Sequence, residues 1–132
     1  MNGLKGRSMD HIGVCVPDVE AEAKFYQDVL GCTIKGKFLG SHGTYTYFLQ
    51  DGQTVYELYQ ASQPMNPAVI GKIDHISYVS NDIEEDYKMA VAAGYKICTK
   101  GIEAIPNRWE KGCRYFKIES PNGAQVEFCQ VL

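Results

Sequence analysis

The chain has 132 residues, a length that suits one compact domain or two small modules sharing a core. A net charge of −3 offers no basic face for nucleic acid, and no apolar run approaches the roughly 20 residues that cross a bilayer. Five cysteines, at 15, 32, 98, 113 and 129, include no close pair, so neither a disulfide framework nor a zinc ribbon is expected, and the start MNGLKGRSMD carries no secretory pattern, which predicts a cytoplasmic protein.

Residues 11–16 (HIGVCV) alternate apolar and β-branched side chains and predict a strand. A helix follows, with Asp18 as N-cap, acidic residues in its first turn and Gly31 just past its end. Ala21, Phe25 and Val29 recur every four residues and predict the stripe that this helix buries. Strand-like runs come next at 33–39, 44–49 and 54–59, separated by the turns Gly40-Ser41-His42-Gly43 and Asp51-Gly52. His42, between glycines, reads as a solvated turn residue. Residues 61–71, with Pro64 and Pro67, hold no periodic pattern and read as a linker. The series then returns: a strand at 75–79, a helix from the N-cap Asp82 to Gly94 with the stripe Ile83, Tyr87 and Val91, and strands at 96–100, 114–119 and 125–130. The last two gaps are a long loop, 102–112, and a Pro121-Asn122-Gly123 turn.

The repetition extends to single residues. Asp10-His11-Ile12 returns as Asp74-His75-Ile76, Asp18-Val19-Glu20 as Asp82-Ile83-Glu84, and Tyr56-Glu57-Leu58 as Val126-Glu127-Phe128. The organisation expected is one domain over 1–132, with module one at about 8–60, a linker at 61–71 and module two at about 72–132. Each module is strand, helix, then three strands. Side chains at i and i+2 share a strand face. His11 therefore goes with Gly13 and Cys15, Glu57 with Val55 and Tyr59, His75 with Ser77 and Val79, and Glu127 with Gln125 and Cys129. The opposite faces carry Ile12, Val14, Leu58, Ile76, Tyr78, Val126 and Phe128 and belong under the helices. The fold class expected is α+β: two tandem βαβββ modules forming a cupped mixed β-sheet, helices on the outer face and the His and Glu residues inside the cup.

Two imidazoles and two carboxylates make a nitrogen and oxygen donor set that suits one divalent ion of zinc, nickel, cobalt or manganese, with His11, Glu57, His75 and Glu127 as ligands. Such an ion would polarise a substrate carrying two adjacent oxygens, and Glu127 or Glu57 stands ready as the base for the neighbouring C–H. Asp10 and Asp74 point the other way by alternation and read as strand-end or turn residues. Tyr45, Tyr47, Tyr59 and Tyr115 are candidate hydroxyls for the cup, Cys15 and Cys129 read as small buried hydrophobes, and the 102–112 loop, with Trp109 beside Arg108 and Lys111, is either a cover for an anionic or planar substrate or an edge-covering loop.

Paired strand-helix-three-strand modules with His11, Glu57, His75 and Glu127 in these places resemble the vicinal oxygen chelate superfamily of glyoxalases, bleomycin-resistance proteins and dioxygenases, over nearly the whole chain. The quartet most resembles the glyoxalase I branch, whose members hold one divalent metal with these four positions. The resemblance implies a metal-dependent lyase or isomerase that moves a proton next to a carbonyl of a small-molecule substrate, and a homodimer. No residue marks a glutathione pocket. The pattern is also similar to methylmalonyl-CoA epimerase, which usually carries glutamine where this chain has Glu57. A non-catalytic binding protein of the bleomycin-resistance kind would use the same cup without the quartet.

Overall fold

The computed structural model of the chain describes all residues except 1, 2, 67, 69, 70, 120, 122 and 123. Pro67 of the linker and Asn122 and Gly123 of the expected turn lie outside the described residues. Two compact units emerge, His11–Asp74 and a second made of Met1–Asp10 with His75–Leu132.

The unit His11–Asp74 holds most of β1 (Met9–Val16), then α1 (Val19–Asp28), β2 (Thr33–Leu39), β3 (Tyr45–Asp51) and β4 (Thr54–Gln60). Its strands lie in the order β2-β3-β4-β1. The α1 crossover lets β2 start in the direction of β1, and two hairpins later β4 runs parallel to β1. Val14 and Val16 of β1, Tyr47 and Leu49 of β3 and Leu58 of β4 pack against Val19 and Ala23 of α1. Asp18 caps the helix by accepting from the Ala21 N–H at 3.1 Å.

The second unit repeats the plan with most of β5 (Ile73–Val79), then α2 (Ile83–Ala92), β6 (Lys96–Ile97), β7 (Glu103–Ile105), β8 (Cys113–Glu119) and β9 (Gln125–Val131). Its order is β5-β9-β8-β6, with β7 on β8 and β5 parallel to β9. Phe116 and Phe128 stack at 5.6 Å under Ile83 and Ala90, and Asp82 caps α2 by accepting from the Glu85 N–H. The α+β class and the paired modules are therefore as expected. The second module is richer than a strict βαβββ unit, because β7 forms inside the stretch expected to be loop and β6 is shorter than expected.

Both helical stripes differ from expectation. In α1 the buried residues are Val19 and Ala23, with Tyr26 packed beside them, whereas Phe25 is 49% and Val29 64% exposed. In α2 they are Ile83, Asp86 and Ala90, with Tyr87 packed beside them, so Ile83 and Tyr87 are as expected and only Val91, which is exposed, is not. At about 100° per residue, an i, i+4, i+8 row drifts roughly 80° around the axis, while i, i+4, i+7 stays on one face. Ile76 also departs from expectation and is exposed on β5.

Residues 3–10 belong with the second module. Arg7 grips Asp86 with two bonds of 2.7 and 2.8 Å, and Ser80 Oγ donates to the same carboxylate at 2.6 Å. Burial pushes the Asp86 carboxyl up, but the Arg7 and Ser80 hydrogen bonds with the Arg7 charge outweigh it, and the group titrates below its ordinary value. A carboxyl depressed in the folded state contributes stability that is full above the unfolded value, near pH 4, and is lost as pH falls through the lower folded value. Asp86→Asn should cost about 2–4 kcal/mol at neutral pH. Denaturant titrations from pH 6 to 2.5 should show that gap closing only below about pH 4; a gap independent of pH would contradict the assignment.

Gly112 ends the long loop with φ 81°, and a Cβ there would lie 2.5 Å from the Ile105 carbonyl oxygen and 2.8 Å from Pro106 Cα. Backbone cannot yield to that overlap, so Gly112→Ala should destabilise the protein by about 3 kcal/mol in chemical denaturation.

Candidate metal centre

β1 and β4 position the first pair. Their parallel register sets Gly13 beside Glu57, with His11 two residues earlier on the same face. Val14 and Leu58 turn the other way, onto the α1 side. His11 Nε2 and Glu57 Oε1 stand 3.4 Å apart, at 2% and 8% exposure. Phe48 of β3, in register with Glu57, meets the His11 imidazole edge-on at 5.3 Å and restricts its tilt.

β5 and β9 position the second pair in the same way. Ser77 is in register with Glu127, and His75 precedes it by two. His75 Nε2 and Glu127 Oε2 are 3.7 Å apart, and both residues are buried. Each module therefore builds its own buried pair of one imidazole nitrogen and one carboxylate oxygen.

The pairs have the form of neighbouring ligands. Two atoms bonded to one ion at about 2.1 Å lie about 3.0 Å apart at a right angle and about 3.4 Å at the tetrahedral angle. The separations of 3.4 and 3.7 Å sit close to those edges and beyond the usual N–H···O range. Such donors suit zinc, nickel, cobalt or manganese better than a soft metal.

Around the second pair the structure brings in a residue that sequence reasoning left undecided. Arg108 of the long loop turns inward and is 4% exposed. It donates to Asp10 Oδ2 at 2.9 Å and to Cys129 Sγ at 3.0 Å, and its guanidinium lies 5.5 Å from the Trp109 ring centre. Asp10 is thus no plain strand-end residue, and Cys129 is not merely a small hydrophobe: their register exposes both to a loop cation that alternation cannot foresee. Asp74 likewise accepts from the Tyr59 hydroxyl, and burial with that bond pushes the phenol well above its ordinary value. Tyr47 points away from the ligand face: its hydroxyl donates to Glu20 of α1, and that bond with burial pushes it up to about 12. Tyr115 donates to Glu103 at 2.8 Å, Tyr45 is exposed beside Lys37, and His42 is exposed as expected. Trp109 holds φ 58°, the only positive φ among the described residues other than glycine.

The chain belongs to the Glyoxalase/Bleomycin resistance protein/Dioxygenase superfamily, whose family profile matches residues 8–128. It is 36% identical over 128 residues to the uncharacterized protein YwbC of Bacillus subtilis (strain 168), covering 94% of this chain and 98% of that one. Among solved structures it is similar to the hypothetical protein BH1468 of Bacillus halodurans C-125, with 24% identity, TM-score 0.74, and 97% and 96% of the two chains covered. It is also similar to methylmalonyl-CoA epimerase from Mycobacterium tuberculosis, with 16% identity, TM-score 0.70, and 94% and 87% covered. At these identities the two structural likenesses speak for the fold. Among the described residues no helix is long and apolar enough to cross a membrane.

Proposed function

We propose that this protein is a glyoxalase I-like lyase or isomerase that holds one divalent ion through His11, Glu57, His75 and Glu127 and moves a proton next to a carbonyl of a small oxygenated substrate. The observation that supports this reading is the recurrence of one buried His–Glu pair, of matching strand origin, in each module. When bound, a divalent ion supplies positive charge to two adjacent substrate oxygens and so acidifies the neighbouring C–H. The rest is the work of the chain. Glu127 and Glu57 are the candidate bases, since a carboxylate at the site needs only a small movement to reach that carbon. Burial keeps water from competing for the proton, and Phe48 limits the motion of the His11 ring.

Elemental analysis of protein purified without chelator or affinity metal tests the reading. About one ion per chain is expected, with hydrogen–deuterium exchange at the reacting carbon of a 2-oxoaldehyde–thiol adduct. Saturating metal should raise Tm by on the order of 10 °C over the chelator-treated protein. No ion, even after reconstitution, would sink the proposal and favour a ligand-binding protein. A second reading, epimerisation beside a thioester, draws support from the equal burial of the two glutamates, one per module. It would show exchange at one carbon with loss of configuration. The proposal includes a homodimer, to be checked by light scattering.

A further inference from the structure

Resting on that function, we propose that Ser77 is a substrate-binding residue: its hydroxyl donates to an oxygen of the ligand held beside His75 and Glu127, the oxygen that gains negative charge as the adjacent carbon loses its proton.

Ser77 is fully buried, and among the described residues its Oγ has no hydrogen-bond partner. A nearby buried serine behaves otherwise, for Ser80 Oγ donates to Asp86 at 2.6 Å. A hydroxyl enclosed in protein without a partner costs stability, so one that is retained points to a partner from outside the chain. Its position says where that partner sits. Ser77 follows His75 by two on β5 and is in register with Glu127 on β9, so the three share one face.

The internal repeat supplies a control. The position in module one that corresponds to Ser77 is Gly13, in register with Glu57. Module one forms the same strand pairing and the same His–Glu pair with no side chain there, so the fold does not demand the hydroxyl. The two His–Glu pairs are thereby inequivalent. A hydroxyl donor stands beside Glu127 and none stands on the matching residue beside Glu57, so a substrate with two unlike oxygens would be held in one orientation. The ligand class is a small molecule with adjacent oxygens, one able to accept a hydrogen bond while bearing developing negative charge.

Ser77→Ala tests this, since it removes only the oxygen. Chelator-treated protein carrying the substitution should melt about 2–4 °C higher than the parent, because an unsatisfied hydroxyl is gone. Zinc affinity should change less than about twofold, while acetohydroxamate, a bidentate oxygen ligand, should bind the zinc-loaded variant about tenfold more weakly. A lower melting temperature of the chelator-treated variant would mean that the hydroxyl is already satisfied within the protein and would overturn the inference. So would equal hydroxamate affinity with zinc bound to both proteins, and that result would leave the proposed function standing. Failure of the parent itself to take up zinc, nickel, cobalt or manganese would overturn the proposed function and this inference together.

Discussion

Each of His11→Ala, Glu57→Gln, His75→Ala and Glu127→Gln is expected to weaken divalent-ion binding by about a hundredfold. A binding free energy of about 12 kcal/mol shared among four ligands leaves about 3 kcal/mol, or two powers of ten, for each. The equality of the four effects is the informative part. Each module builds its own pair, 3.4 Å apart in one and 3.7 Å in the other. If one ion is held by both pairs, a substitution in either module must cost alike, whereas an ion held by one pair would leave two of the four substitutions silent. Competition against a chelating dye measures this directly, and two silent positions would refute the four-ligand proposal. Exchange at the substrate carbon then separates the glutamates, because Glu→Gln at the base should abolish exchange even where metal excess restores occupancy.

Arg108→Ala should be the most destabilising single change outside the core, at about 3–5 kcal/mol in chemical denaturation. The guanidinium is buried, and it joins Asp10 to Cys129 through bonds of 2.9 and 3.0 Å. Removing it leaves the half-buried Asp10 carboxylate beside a cavity without its cation. Cys129 lies two residues from Glu127 on β9, so the loss should also loosen the second pair and lower ion affinity. Asp10→Asn retains an acceptor and should cost less, and the double variant Arg108→Ala with Asp10→Ala should recover part of the loss, as coupled partners do. An effect of Arg108→Ala below about 1 kcal/mol would show that the loop is held by other contacts.

Much of the architecture could be read from residues in order. Asp18 and Asp82 cap their helices as the N-cap preference predicts, and Gly31 and Gly94 adopt positive φ just beyond them. Alternation on β1, β4, β5 and β9 correctly put His11 with the Glu57 face and His75 with the Glu127 face, because strand pleating is a local property. The helix stripes were harder, since a row of every fourth residue and a row with one step of three look alike over ten residues, and only packing selects between them.

What the sequence by itself determined is therefore the set of elements apart from β7, their duplication and the chemistry on most strand faces, all of which follow from spacing along the chain. The tertiary structure alone decided what meets across long separations. That Arg108 folds inward to Asp10, that Arg7 grips Asp86, and that Ser77 is enclosed without a partner among the described residues depend on loop paths and burial. The pairs Arg108–Asp10 and Arg7–Asp86 are 98 and 79 residues apart, and no periodicity reports a contact at that range. Such contacts are chosen by the cost of leaving a buried charge or hydroxyl without company, a quantity that exists only once the chain has enclosed it.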